Sequence, residues 1–111
     1  MALAATVVLG AGAWHYFRQS QPVVYEDLLE QATQQFQRGQ ARAALSLMQM
    51  AIEKDKSRWD GYEFAGRIAG TLNDYDLASS MFRKALMLAP AEKRQDVQYK
   101  LDDLKQKMER R

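Results

Sequence analysis

The feature that most constrains the fold is an internal repeat with a spacing of 34 residues. Aligning residues 25–58 with residues 59–92 places small residues on small residues and large apolar residues on large apolar ones. The matching pairs are Ala32 with Gly66, Ala44 with Ala78, Met48 with Phe82, Ala51 with Ala85, and Ile52 with Leu86. Each unit is therefore predicted to be one supersecondary element that packs against the next.

Apolar spacing within each unit favours α-helices. Phe82 and Ala85 follow Ala78 at i+4 and i+7, which places all three on one helical face. Small residues at such positions let two helices approach closely, and large residues fill the space beside them. Pro90 ends the last helix of the second unit. The sequence predicts helices near residues 24–38, 41–55, 58–71 and 75–88.

The connections between these helices carry turn residues. Gly39 and Asn73 suit the left-handed backbone conformation at helix ends, so each unit is predicted to turn there. Ser57 is predicted to be the N-cap of the third helix, with Asp60 three residues later. Both units are thus expected to be helical hairpins.

The second unit resembles the tetratricopeptide repeat family, which has the same period. The resemblance rests on Tyr62, Gly66, Tyr75, Ala78, Phe82, Ala85 and Pro90. The first unit is similar at Leu28, Ala32, Ala44, Met48 and Ala51, and departs from the pattern at Lys56. The resemblance covers about residues 25–90. It implies an all-α fold with two antiparallel helix hairpins, residues 25–58 and 59–92.

The resemblance also implies a binding surface for another protein. In this family the first helix of each pair lines an inner, concave face that takes a peptide segment or a helix. The matching positions here are Glu26, Leu29, Thr33, Phe36, Gln37, Asp60, Glu63, Arg67 and Thr71. Phe36 and Leu29 are expected to be apolar anchors, and Arg67 a polar contact.

The last segment, residues 93–111, is predicted to be a capping helix. Val97, Leu101, Leu104 and Met108 are spaced by 4, 3 and 4 residues and form one apolar stripe. The stripe is expected to cover the second repeat, since helical arrays need polar ends. Two alternatives stay open. One is a short coiled-coil seam for self-association. The other is contact of basic residues with an anionic membrane or nucleic acid through Lys105, Lys107, Arg110 and Arg111.

The N-terminal segment is apolar. Residues 2–17 carry no charge, and as a helix they span roughly 24 Å, against about 30 Å of hydrocarbon in a bilayer. Aromatic rings and a cation end the run, as at a membrane interface. These residues are Trp14, Tyr16, Phe17 and Arg18. Residues 1–19 are therefore predicted to be a single-pass membrane anchor, with residues 20–24 as a connector.

Other interpretations of this segment stay open. Ala11-Gly12-Ala13 has the small-x-small form of a signal-peptide cleavage site, so an exported protein with a removed leader is the main alternative. An ordinary buried helix, or a start codon placed too late in a longer anchor, is the other. The nearby positive charges do not decide which side of the membrane the repeats face.

The sequence predicts no enzyme and no cofactor. The chain lacks cysteine, and its one histidine, His15, lies in the apolar segment. Adjacent carboxylates such as Glu26 and Asp27 point apart on a helix, which disfavours shared-proton chemistry. A net charge of +2 predicts no nucleic-acid partner. The predicted function is a membrane-anchored interaction or assembly scaffold, such as an accessory subunit of a membrane complex. A self-associating structural protein is a further alternative.

Overall fold

A computed structural model describes residues 24–110, and this part of the chain is all-α with no strand. The prediction of an all-α fold is confirmed for these residues. The described part has five helices: α1 (Tyr25–Gln37), α2 (Ala41–Lys54), α3 (Trp59–Thr71), α4 (Tyr75–Leu88) and α5 (Ala91–Glu109). Their ends lie within two residues of the predicted ones.

The two predicted turns have the expected backbone. Gly39, between α1 and α2, has φ +80°, and Asn73, between α3 and α4, has φ 60°. Both residues therefore occupy the left-handed region that glycine and asparagine tolerate best. Asp74 follows Asn73 and caps α4, where its side chain accepts a hydrogen bond from the backbone N–H of Leu77 at 3.2 Å.

The predicted N-cap of α3 was wrong. Ser57 does not cap the helix; its backbone N–H and its hydroxyl both donate to Asp55 Oδ1, at 3.0 and 2.6 Å. These bonds lower the pKa of Asp55. Arg58 instead precedes α3, in an extended conformation and without a side-chain cap. A local bond to an aspartate upstream has displaced the cap, as the competition between such motifs allows.

Consecutive helices make the main contacts. α1 packs most extensively on α2, and α3 on α4, while α2 also packs on α3 and α4 on α5. Small residues lie fully buried between them: Ala32, Ala44, Ala51, Ala65, Ala69, Ala78 and Ala85. Gly66 is a point of close approach between α3 and α4, since a Cβ there would lie 2.8 Å from the Phe82 ring. The predicted contact between small and large residues of α3 and α4 is therefore present.

Helix α5 lies on α4 through its apolar stripe. Val97, Leu101 and Leu104 are buried, and Met108 is half-buried. Val97 belongs to the main core, whereas Leu101 and Leu104 form a second cluster with Ala69, Ala78 and Phe82. The array of helices thus continues past the second hairpin into α5.

The predicted anchor, residues 1–19, lies outside the described residues. So do nearly all of the connector and the predicted interface residues Trp14, Tyr16, Phe17 and Arg18. Within residues 24–110, no helix combines the length and the apolar character that crossing a bilayer requires. The prediction of an anchor stays a prediction.

Candidate functional site

Two adjoining clefts lie along the first helices of the array. The first cleft, between α1 and α3, has a volume of about 360 Å³. Its lining contains all the predicted inner-face residues except Glu26 and Thr71, namely Leu29, Thr33, Phe36, Gln37, Asp60, Glu63 and Arg67. The fold therefore brings residues of α1 and α3 that are 23 to 38 positions apart in the sequence onto one surface.

The second cleft, between α3 and α5, has a volume of about 450 Å³. Thr71 lines this cleft, and Phe36 and Arg67 line both. Its other seven residues were not predicted to line a binding surface on the hairpins: Gly66, Gly70, Phe82, Lys100, Asp103, Leu104 and Lys107. The signal that would have found them is the position of α5, which follows the second hairpin where the first helix of another unit would lie.

An aromatic pair joins α1 to α3 at the boundary of the two clefts. Phe36 meets Phe64 edge to face, with 5.7 Å between ring centroids and an interplanar angle of 81°. The guanidinium of Arg67 lies over the Phe64 ring, 4.9 Å from its centroid. Phe64 lines the first cleft but was not predicted as a site residue. These contacts stabilise Phe36 and Arg67 at the boundary between the clefts.

Glu63 lines the first cleft and pairs with cations that line the second. Its side chain is only 10% exposed, and its Oε1 accepts from Arg67 Nε at 2.9 Å and from Lys100 Nζ at 2.6 Å. Lys100 also pairs with Asp96 at 2.9 Å. Desolvation lowers the pKa of Lys100, but the bonds to Glu63 and Asp96 outweigh it and raise that pKa overall. One buried carboxylate thus ties α3 to α5.

A second polar cluster lies beside the first cleft, where α1 and α3 begin. Tyr25 donates its hydroxyl to Asp60 at 3.1 Å, and Arg58 pairs with both Glu26, at 2.9 Å, and Asp60, at 3.1 Å. The guanidinium of Arg58 also lies 4.4 Å from the centroid of the Tyr25 ring. Gly61 leaves room for the Tyr25 hydroxyl, which a Cβ would strike. Glu26 therefore belongs to this cluster and not to the cleft lining.

The pKa shifts in this cluster follow from its bonds. Burial, followed by the Asp60 charge, raises the pKa of Tyr25 well above its ordinary value of 10.0. The bond from Arg58 lowers the pKa of Glu26, and the bonds to Glu26 and Asp60 raise that of Arg58. All three shifts stabilise the protonation states seen at neutral pH, so this cluster connects helices and is not poised for proton transfer.

Within residues 24–110, no group of three metal-binding side chains lies together. The clefts offer aromatic and aliphatic surface, ion-paired cations and carboxylates. A comparison with protein-family models finds no match for the chain, and a comparison with curated proteins finds none either.

Proposed function

We propose that residues 25–110 form a tetratricopeptide-type interaction domain that holds a segment of a partner protein along the two clefts. The N-terminal segment, residues 1–19, would attach this domain to a membrane. The chain would then serve as a recruiting or assembly module, for example as an accessory subunit of a membrane complex.

The observation that carries this proposal is the composition of the first cleft. Seven of the nine residues that the tetratricopeptide resemblance indicates line this cleft, and Phe36 and Leu29 contribute apolar side chains to it. Both residues are only partly buried and pack against the main core, so they offer apolar area on a fixed support. Fixed apolar anchors ringed by polar groups are the usual centre of a protein-binding surface.

The size of the array supports the same proposal. A helical repeat exposes apolar faces that only a neighbour can bury, and about three units are normally required for stability. Two hairpins and α5 fall just short of that number. A partner segment lying across α1, α3 and α5 would supply further buried apolar area.

The test is affinity capture of the full chain from its native membranes, with a matched pair of variants. Gln37 and Gln49 are both exposed helical residues, but Gln37 lines the first cleft and Gln49 lines neither. We expect Gln37→Arg to lose a partner that the wild type and Gln49→Arg both retain. Equal retention by both variants, or no partner specific to the wild type, would refute the proposal.

Membrane attachment has its own test. Alkaline carbonate washing of the membrane fraction, followed by the intact mass of the retained chain, should find the full-length chain in the membrane pellet. Release into the wash, with loss of the first 13 residues at Ala13, would instead support the exported form.

A further inference from the structure

Helix α5 does more in this structure than cover the second hairpin, because it builds one wall of the second cleft. The cleft opens beside Gly70, where an added Cβ would meet no atom within 4 Å. One turn earlier, a Cβ at Gly66 would strike the Phe82 ring. Helix α3 therefore packs closely on α4 at Gly66, whereas an unfilled space remains beside Gly70. We call this space the notch.

The notch has apolar walls. Phe36, Phe82 and Leu104 line the cleft around it, and their side chains come from three different helices, α1, α4 and α5. Phe82 and Leu104 are almost fully buried, at 5% and 4% exposure, so neither side chain is free to swing into the gap. The space thus suits one bulky apolar side chain from another molecule.

The charged residues of the cleft are mostly positive. Arg67, Lys100 and Lys107 line it, against one carboxylate, Asp103. Arg67 and Lys100 are also bound to the nearly buried carboxylate of Glu63. The remaining pairs, Lys107 with Asp103 and Lys100 with Asp96, use carboxylates that are 57% and 65% exposed. Solvent-exposed pairs of this kind contribute little stability, so an incoming carboxylate displaces them at small cost.

Arg67 adds a directional contact. It pairs with Glu63 through Nε at 2.9 Å. Its side chain is 49% exposed, and its plane is supported by the Phe64 ring. A guanidinium held in this way suits a carboxylate, which it can bind through two parallel hydrogen bonds.

We propose that the second cleft binds a partner segment in which a bulky apolar residue is flanked by aspartate or glutamate. The apolar side chain enters the notch at Gly70, and the flanking carboxylates meet Arg67, Lys100 and Lys107. This inference rests on the proposed function and specifies the chemistry of the partner. Segments flanked by lysine or arginine are rejected by like charge.

The first experiment selects ligands without assuming a sequence. A displayed library of random heptapeptides is panned against the full-length chain in detergent micelles. We expect the enriched peptides to combine Phe, Leu or Trp with at least two acidic residues, and to bind more weakly as salt is raised. Enrichment of basic or uncharged peptides, or no enrichment, would overturn the inference.

The second experiment locates the site with two pairs of variants, using the most enriched peptide, fluorescently labelled, as the probe. Lys107→Glu should weaken binding about tenfold. Lys105→Glu should change it less than about twofold, because Lys105 has the same charge on the same helix but lies outside the cleft lining. Gly70→Leu should abolish peptide binding by filling the notch. Gly70→Ala is its control, because it tests whether helix α3 tolerates a side chain at this position.

The outcomes separate this inference from the proposed function. If Gln37→Arg releases the native partner while Lys107→Glu and Gly70→Leu leave peptide binding unchanged, the interaction module stands and the assignment of the second cleft falls. If peptide binding responds as expected but Gln37→Arg retains the native partner, the first cleft is not the docking surface.

Discussion

Gly66 and Gly70 lie one turn apart on α3 and meet opposite surroundings, so the same substitution should have opposite effects at the two positions. Gly66→Ala forces a Cβ against the Phe82 ring and should destabilise the fold by about 1–3 kcal/mol. Gly70→Ala adds a Cβ in open space and should stabilise the helix by roughly 0.5–1 kcal/mol. Thermal unfolding followed by circular dichroism measures both. A destabilised Gly70→Ala variant would mean that the notch is not open.

Tyr25 gives the protein an alkaline limit. The unfolded chain releases the phenol proton near pH 10, whereas the folded chain retains it because its pKa is raised. The stabilisation is complete below about pH 10 and is lost as pH rises from there towards the folded pKa. The free energy of unfolding should fall by up to about 1.4 kcal/mol per pH unit in this range.

The measurement compares the free energy of unfolding at about pH 9 and about pH 11. Tyr25→Phe should show a shallower decline than the wild type. Tyr99→Phe is the control, because Tyr99 is 77% exposed and its substitution should leave the decline unchanged. Identical slopes in all three proteins would contradict the assignment to Tyr25.

At the scale of helices, the buried carboxylate of Glu63 should couple α3 to α5. A double-mutant cycle with Glu63→Gln and Lys100→Met isolates this interaction, and we expect a coupling free energy of about 1–3 kcal/mol, since Glu63 is nearly buried. The exposed pair of Asp103 and Lys107 within α5 is the control, with an expected coupling below about 0.5 kcal/mol. Equal coupling in the two cycles would show that α5 is not held through Glu63.

Elements were predictable where the signal is local. Gly39, Asn73 and Pro90 mark helix ends through backbone geometry alone, and the structure places the helix ends beside them. Ser57 shows the limit of such signals, because its hydroxyl had two candidate roles and the bond to Asp55 prevailed. Nothing in the local sequence ranks these two bonds.

At the scale of the whole molecule, α5 is expected to be required for a stable, unassociated protein. Ending the chain after Ala91 would expose the cluster that includes Ala78 and Phe82, with a loss of about 1.5–3 kcal/mol for each buried side chain removed from α5. We expect a lower melting temperature and self-association in sedimentation. A chain ending after Lys107, which keeps Val97, Leu101 and Leu104, is the control. Unchanged melting of the shorter chain would contradict a capping role.

The first cleft was predictable from the repeat, whereas the second also requires the placement of α5 against the second hairpin. Repeat spacing alone superposes Leu29 on Glu63 and Phe36 on Gly70, so it relates α1 to α3 directly. The second cleft depends on how closely Leu101 and Leu104 pack against Phe82 and Ala78. Repeat spacing does not specify packing between residues so far apart in the sequence. Lys100 was not recognised because residues of both charges alternate along α5, and Lys107 was considered only as a contact for an anionic membrane or nucleic acid.

Phe36 and Arg67 line both clefts, so these two side chains form the wall between them. Displacing either side chain so that one cleft widens makes the other cleft narrower. Two short ligands, one in each cleft, would therefore affect each other's binding without direct contact. A single long ligand would instead fix both side chains at once. We therefore expect a ligand in the first cleft to change ligand binding in the second through these two side chains.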